Sequence, residues 1–129
     1  MILVDTSVWV DHLRKGEEEL ETLLNEGLVL SHPFVIGELA CGDLKNRDEV
    51  LSLLEALPKT GVASHEEVLH LVAKRKLYGK GLGWIDVHLL ASALLSQSPL
   101  WTRDKTLASV ARELATGRDS GTARGAAPT

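Results

Sequence analysis

Ile2-Leu3-Val4-Asp5-Thr6-Ser7-Val8-Trp9 changes character at its middle. Three apolar residues in succession read as a short strand buried on both faces, as strands of parallel sheets are. The run stops at an acid, and a helix can begin at once. Thr6 or Ser7 can cap it, and Asp5 equally well, because each offers a side-chain oxygen to the first free amides. Val8, Trp9 and Leu13 supply its apolar members, and Gly16 ends it. Asp5 therefore falls at the carboxyl end of a strand.

The same alternation runs on from there. Glu17 to Glu26 reads as a second helix, acidic in its first turns as the helix dipole prefers, and Gly27 stops it. Leu28-Val29-Leu30 is a second strand. Pro33 suits the first turn of a helix running to about Cys41, and another helix covers Arg47 to Leu57 before Pro58. Gly61-Val62-Ala63 offers at most a short strand. Ser64 and Glu67 have the S-x-x-E spacing of a capping box, opening a helix to about Leu77. Tyr78 to Gly83 contains three glycines and reads as a turn or loop. Ile85 to Gln97 is a helix, Leu100-Trp101-Thr102 a strand, and Asp104 to Ala115 the last helix. From Thr116 the chain loses apolar periodicity, which predicts a disordered tail.

Short apolar strands alternating with amphipathic helices make βαβ units. The expectation is one α/β domain over 1–115, a three-layer α/β/α arrangement on a parallel sheet of four or five strands, followed by a tail over 116–129. The whole chain is 129 residues, 44% hydrophobic and 25% charged, which suits one domain with one core. No apolar run is long enough to span a bilayer, and Asp5 comes too early for a secretory signal. The single cysteine, Cys41, cannot form an internal disulfide, so a cytoplasmic setting is expected. A net charge of −4 argues against coating nucleic acid by bulk electrostatics. Basic residues do cluster, at Arg14-Lys15, at Lys74-Arg75-Lys76 with Lys80, and at Arg103 with Lys105. Each cluster reads either as a solvated face or as a place where RNA is held.

Four acids stand at the edges of apolar faces. Asp5 and Asp104 each follow a strand, so both belong at one rim of the sheet, where open α/β sheets carry their sites. Asp86 is followed at helical spacing by Leu89, Leu90, Ala93 and Leu94, so it heads an apolar stripe. Glu38 shares a face with Phe34, Val35 and Cys41, and Asp104 with Leu107, Ala108 and Ala111. Singly, Asp5, Asp86 and Asp104 each read as helix caps; Glu38, inside a helix, has no capping role. Jointly they predict partly buried carboxylates without cationic partners, which costs several kcal/mol each. A divalent cation would relieve that conflict, and an all-oxygen donor set favours Mg²⁺ or Mn²⁺ over zinc. Such a site suits phosphodiester hydrolysis.

These residues resemble the motifs of the PIN-domain family. Val4-Asp5-Thr6-Ser7-Val8-Trp9 is similar to its opening motif, and Glu38 within Val35-Ile36-Gly37-Glu38-Leu39 to its second acid. Asp86 within Gly83-Trp84-Ile85-Asp86-Val87-His88 is similar to its third, and Leu100-Trp101-Thr102-Arg103-Asp104 to its fourth. The likeness runs from Ile2 to about Leu114. Size and the lack of extra domains resemble the VapC-type toxins of bacterial toxin–antitoxin pairs. That resemblance implies an endoribonuclease that binds Mg²⁺ or Mn²⁺ through Asp5, Glu38, Asp86 and Asp104, with Thr6 and Thr102 in support. It further implies an RNA substrate, a cognate antitoxin and a homodimer; Lys80, Arg103 and Lys105, from the basic clusters, are the candidate contacts to that RNA. Many relatives end in a further edge strand, yet nothing apolar follows Leu114 here. Two rivals remain. A haloacid-dehalogenase-type phosphohydrolase needs a second Asp where Ser7 stands, and a non-catalytic binding module would have no use for all four acids.

Overall fold

A computed structural model describes residues 1–118. Strand β1 (Ile2–Val4) leads into helices α1 (Thr6–Lys15) and α2 (Glu18–Asn25), then β2 (Val29–Leu30). Helices α3 (Pro33–Ala40), α4 (Arg47–Ala56), α5 (His65–Lys74) and α6 (Trp84–Ser96) follow, then β3 (Leu100–Trp101) and α7 (Lys105–Glu113). The sheet is parallel in the order β2-β1-β3, with Ile2 opposite Val29, and Leu3 opposite Leu30 and Leu100. Leu3 and Val4 are fully buried at its centre.

That order fixes the layers. The chain leaves β1 towards β2 on one side, then returns past β1 to β3 on the other. Both crossovers are right-handed by the general rule, so opposite directions place their helices on opposite faces. The result is the expected three-layer α/β/α fold. The direction reverses between β1 and β3, and crevices at such a reversal are where open sheets bind ligands. Asp5 and Asp104 stand there.

Two details depart from the sequence reading. The strand expected at Gly61-Val62-Ala63 is instead a single parallel bridge from Ser31 to Lys59, bounded by bonds from Ser31 N–H to the Pro58 carbonyl and from Thr60 N–H to the Ser31 carbonyl. Pro58 has no amide to donate, so pairing is held to the residues beside it. On the far edge Gly117 bridges Leu100, with the Leu100 amide on the Thr116 carbonyl at 2.7 Å and the Arg118 amide on the Leu100 carbonyl at 3.2 Å. Residues 116–118, expected in the tail, thus continue the sheet, and the Thr116 hydroxyl adds a bond to the Ser98 carbonyl at 3.1 Å. The rest of the expected tail, 119–129, lies outside the described residues.

The core gathers Val8, Leu20, Val35, Leu54, Val68, Leu89, Leu90 and Leu107 around the strands. The Ser64–Glu67 capping box forms as expected, with both reciprocal bonds in place. Helix α3 begins at an unexpected cap. His32, completely buried, accepts the Phe34 amide on Nδ1 at 2.9 Å, and its Nε2 meets Ser92 Oγ of α6 at 3.1 Å. Because Nδ1 accepts, the proton is on Nε2 and the ring is neutral. Burial, and to a smaller extent the nearness of His88, lowers its pKa to about 4. Among the described residues no helix is long and apolar enough to cross a membrane.

Candidate active site

The rim of the sheet begins with Asp5, which is 7% exposed. Its amide bonds the Trp101 carbonyl at 2.9 Å, so the ends of β1 and β3 are pinned together. Asp5 is also the residue that caps α1, and its Oδ2 takes the Ser7 amide at a long 3.4 Å. Two hydroxyls converge on the same oxygen, Ser7 Oγ at 2.7 Å and Thr102 Oγ1 at 2.8 Å. With their protons committed to Asp5, these hydroxyls have only lone pairs left. Ser7 Oγ accepts the Arg103 amide and Thr102 Oγ1 the Asp104 amide, each at 3.0 Å. The circuit thereby locks the turn carrying Asp104 to the end of β1.

Asp104 caps α7 as its position suggested, accepting the Leu107 amide on Oδ1 at 2.9 Å. Asp86 reaches back to the Gly83 amide with Oδ2 at 2.9 Å, in the first turn of α6. Glu38 comes from α3 and accepts the Thr6 hydroxyl on Oε1 at 2.6 Å. Thr6 therefore ties the second acid to the residue beside the first. Each of the four acids has one oxygen committed. Among the described residues, the other oxygen of each accepts no hydrogen bond and meets no cation.

Electrostatics links three of them. Burial pushes the Asp86 carboxyl above its ordinary value, and the Gly83 amide acts in the opposite direction. The nearby charges of Asp5 and Asp104 add to the rise. Helical spacing had suggested that Glu38 and Asp104 are sunk in apolar surroundings, but both are exposed and Asp86 is half-buried. The stripes face the core at Val35 on α3, at Leu89, Leu90 and Ala93 on α6, and at Leu107 and Ala111 on α7, while Cys41, past Glu38, is exposed. The acids occupy the rim ends of the stripes, where the sheet stops and water begins.

As the side chains stand, no three acids or histidines among the described residues converge closely enough to grip an ion. Two forces hold them apart: each aspartate is held by an amide of its own helix, and like charges repel. The donor chemistry nevertheless fits a hard divalent cation, with four uncommitted carboxylate oxygens and no competing lysine or arginine.

Sequence reasoning missed two contributors. Ser7 was read only as a possible cap, although a hydroxyl two residues after a strand-end Asp is placed to bond it. His32 has no sequence signal, since histidine is not a usual capping residue. Arg103, expected near RNA, is held by Asp11 at 3.0 Å and by a close ion pair to Glu17. Lys80 and Lys105 are exposed, as the expectation of RNA contact requires. His88 packs between Phe34 and Trp84, with ring centroids 4.7 and 4.9 Å away.

A parallel sheet reversing at its central strand, with acids at the carboxyl ends of β1 and β3 and on the two helices beside them, defines a known class. Residues 2–113 match the PIN domain family, and the chain belongs to it. Within that class it is 51% identical over 114 residues to a protein named Ribonuclease VapC32 from Mycobacterium tuberculosis strain CDC 1551 / Oshkosh. The match covers 88% of this chain and 92% of that relative. The protein of the same name from strain ATCC 25618 / H37Rv matches equally, at 51% over 114 residues.

Proposed function

We propose that this chain is a metal-dependent endoribonuclease and the toxin of a type II toxin–antitoxin pair, acting in the cytoplasm. The observation that carries the reading is the set of four acids around the β1–β3 rim, each with one oxygen free. The match to proteins named as ribonucleases supports it independently. Asp5, Glu38, Asp86 and Asp104 would hold Mg²⁺ or Mn²⁺. The chemistry such an ion supplies when bound is a water of lowered pKa and neutralisation of charge on a phosphodiester under in-line attack.

The chain's own residues prepare that chemistry. Ser7 and Thr102 fix the orientation of Asp5, and Thr6 fixes Glu38. The Thr102–Asp104 bond carries the fourth acid into register with the first. Asp86, whose carboxyl titrates high, gains most from a cation because its ionised form is the one disfavoured now. Lys80, Arg103 and Lys105 are the proposed contacts to RNA phosphates. Freeing Arg103 for that role means breaking its pairs with Asp11 and Glu17. A cognate antitoxin and a second copy of the chain are the proposed protein partners.

The test is cleavage of a panel of structured and unstructured RNAs by antitoxin-free protein with Mg²⁺, with Mn²⁺ and with EDTA, beside Asp5→Asn purified identically. Discrete fragments that require metal and are lost by at least ~100-fold in the variant are expected, since the acids act as a unit. Cleavage that persists in the variant or in EDTA overturns the reading.

A further inference from the structure

We infer that Trp84 is a stacking platform for an unpaired RNA base, at the head of a basic track that leads single-stranded RNA to the acid rim. The inference rests on the ribonuclease reading and adds a residue that holds the substrate. Trp84 opens α6 two residues before Asp86, and it follows Gly83, whose amide Asp86 bonds. It is 41% exposed, with the buried ring of His88 on one side and the exposed ring of His65 on another. His88 meets it in a T-shaped contact and His65 lies 5.2 Å away, tilted at 52°. A large ring in contact with two others and still open to water offers a face on which a base can stack.

Charge decides between RNA and a protein as the occupant. Between Glu67 and Asp86 the chain carries no acid, but it carries Lys74, Arg75, Lys76 and Lys80, with Tyr78 among them and Trp84 after them. All four cations are exposed, and among the described residues none of them is in an ion pair. The other basic clusters differ: Arg14 is paired with Asp11, and Arg103 with Asp11 and Glu17. Tyr78 is 64% exposed. Cations without partners alternating with open aromatics are what a phosphate backbone with unstacked bases requires.

Geometry lays these residues out as a track. His65 begins α5 and touches Trp84, so the chain leaving the far end of α5 must come back along it. Ten helical residues span about 15 Å. Lys74, Arg75 and Lys76 therefore stand at the distant end, Trp84 in the first turn of α6 on the face of His88, around the helix from the Asp86 carboxylate, and Lys80 on the return. Gly79 and Gly81, at φ of 72° and 85°, supply the left-handed turns that reverse the chain. A duplex could meet the cations but has no free base to offer the indole.

The test is binding of a short fluorescein-labelled RNA, single-stranded or annealed to its complement, read by fluorescence anisotropy in EDTA so that no cleavage intervenes. The proteins compared are wild type, Trp84→Ala, Trp84→Leu and Trp84→Phe, with circular dichroism checking that each is folded. Wild type should prefer the single strand. Trp84→Ala and Trp84→Leu should weaken it at least ~5-fold and leave duplex binding unchanged, while Trp84→Phe stays within ~3-fold of wild type. Replacing Lys76 and Lys80 together by Ala should lower the salt slope of log Kd by about 1.4, roughly 0.7 for each phosphate contact. Leucine restoring full affinity would overturn stacking. An alanine variant that binds as wild type does would also overturn it and leave the indole for a protein partner. If wild type cleaves RNA in Mn²⁺ while the Trp84 variants bind normally, this inference alone fails; if wild type neither binds nor cleaves, the ribonuclease reading fails with it.

Discussion

Asp5 Oδ2 accepts two hydroxyls, and each hydroxyl passes a lone pair to an amide of the turn before α7. Removing one therefore does more than loosen Asp5. It strands a backbone amide and frees the turn that carries Asp104. Ser7→Ala and Thr102→Val are each expected to lower cleavage or Mn²⁺ affinity by ~10–100-fold with the fold intact, as loss of a ligand-orienting partner commonly does. Titrating Mn²⁺ into cleavage assays separates weaker binding from slower turnover, and wild-type behaviour in both variants would show the circuit to be incidental. Of this arrangement the sequence made the four acids legible, because strand ends and helical stripes are local patterns. It could not show that Glu38 and Asp104 reach water. Periodicity reports which side of a helix faces inward, not where along the helix the interior ends.

Among the elements, caps were readable where the chemistry lies within a few residues. The box at Ser64 and Glu67 is complete, and Asp5 and Asp104 cap α1 and α7. The bridges at Lys59 and Gly117 were not readable, because pairing through backbone alone leaves no pattern in side chains. His32 was missed for a different reason: it acts between elements, capping the start of α3 with one nitrogen and meeting α6 with the other. Those helices carry Glu38 and Asp86, so one imidazole helps set the spacing of two acids. Its pKa, about 4 in the fold against an ordinary 6.5, fixes the sign of a pH effect. As pH falls through 6.5 the unfolded chain takes up the proton first, so stability present above 6.5 is lost progressively towards 4. The full shift is worth roughly 3 kcal/mol. His32→Asn, which can still cap but cannot charge, is expected to lose less stability than wild type between pH 7 and pH 4.5 in urea unfolding. Equal losses would mean that His32 does not titrate in this window.

For the whole molecule, the charges of Asp5 and Asp104 near Asp86 work against the fold, and an ion that binds only the folded state adds to its stability. At about 100 times its dissociation constant a bound ion contributes ~2.7 kcal/mol, which for a domain of this size raises Tm by about 10 °C. Thermal unfolding of wild type with Mn²⁺ and with EDTA should show that gap. Asp86→Asn should show much less of it, while melting no lower than wild type in EDTA, since a repelling charge is gone. A wild-type Tm indifferent to metal would contradict the carboxylate site. One consequence of the sheet order concerns how the protein is made. The strand synthesised first, β1, sits in the middle, and the partner on its active-site side, β3, begins only at Leu100. On the ribosome Asp5 waits for Asp104 through nearly the entire translation of the domain. A chain terminated before Leu100 has neither the β1–β3 rim nor Asp104, so the acid site is complete only when synthesis of the domain is all but finished.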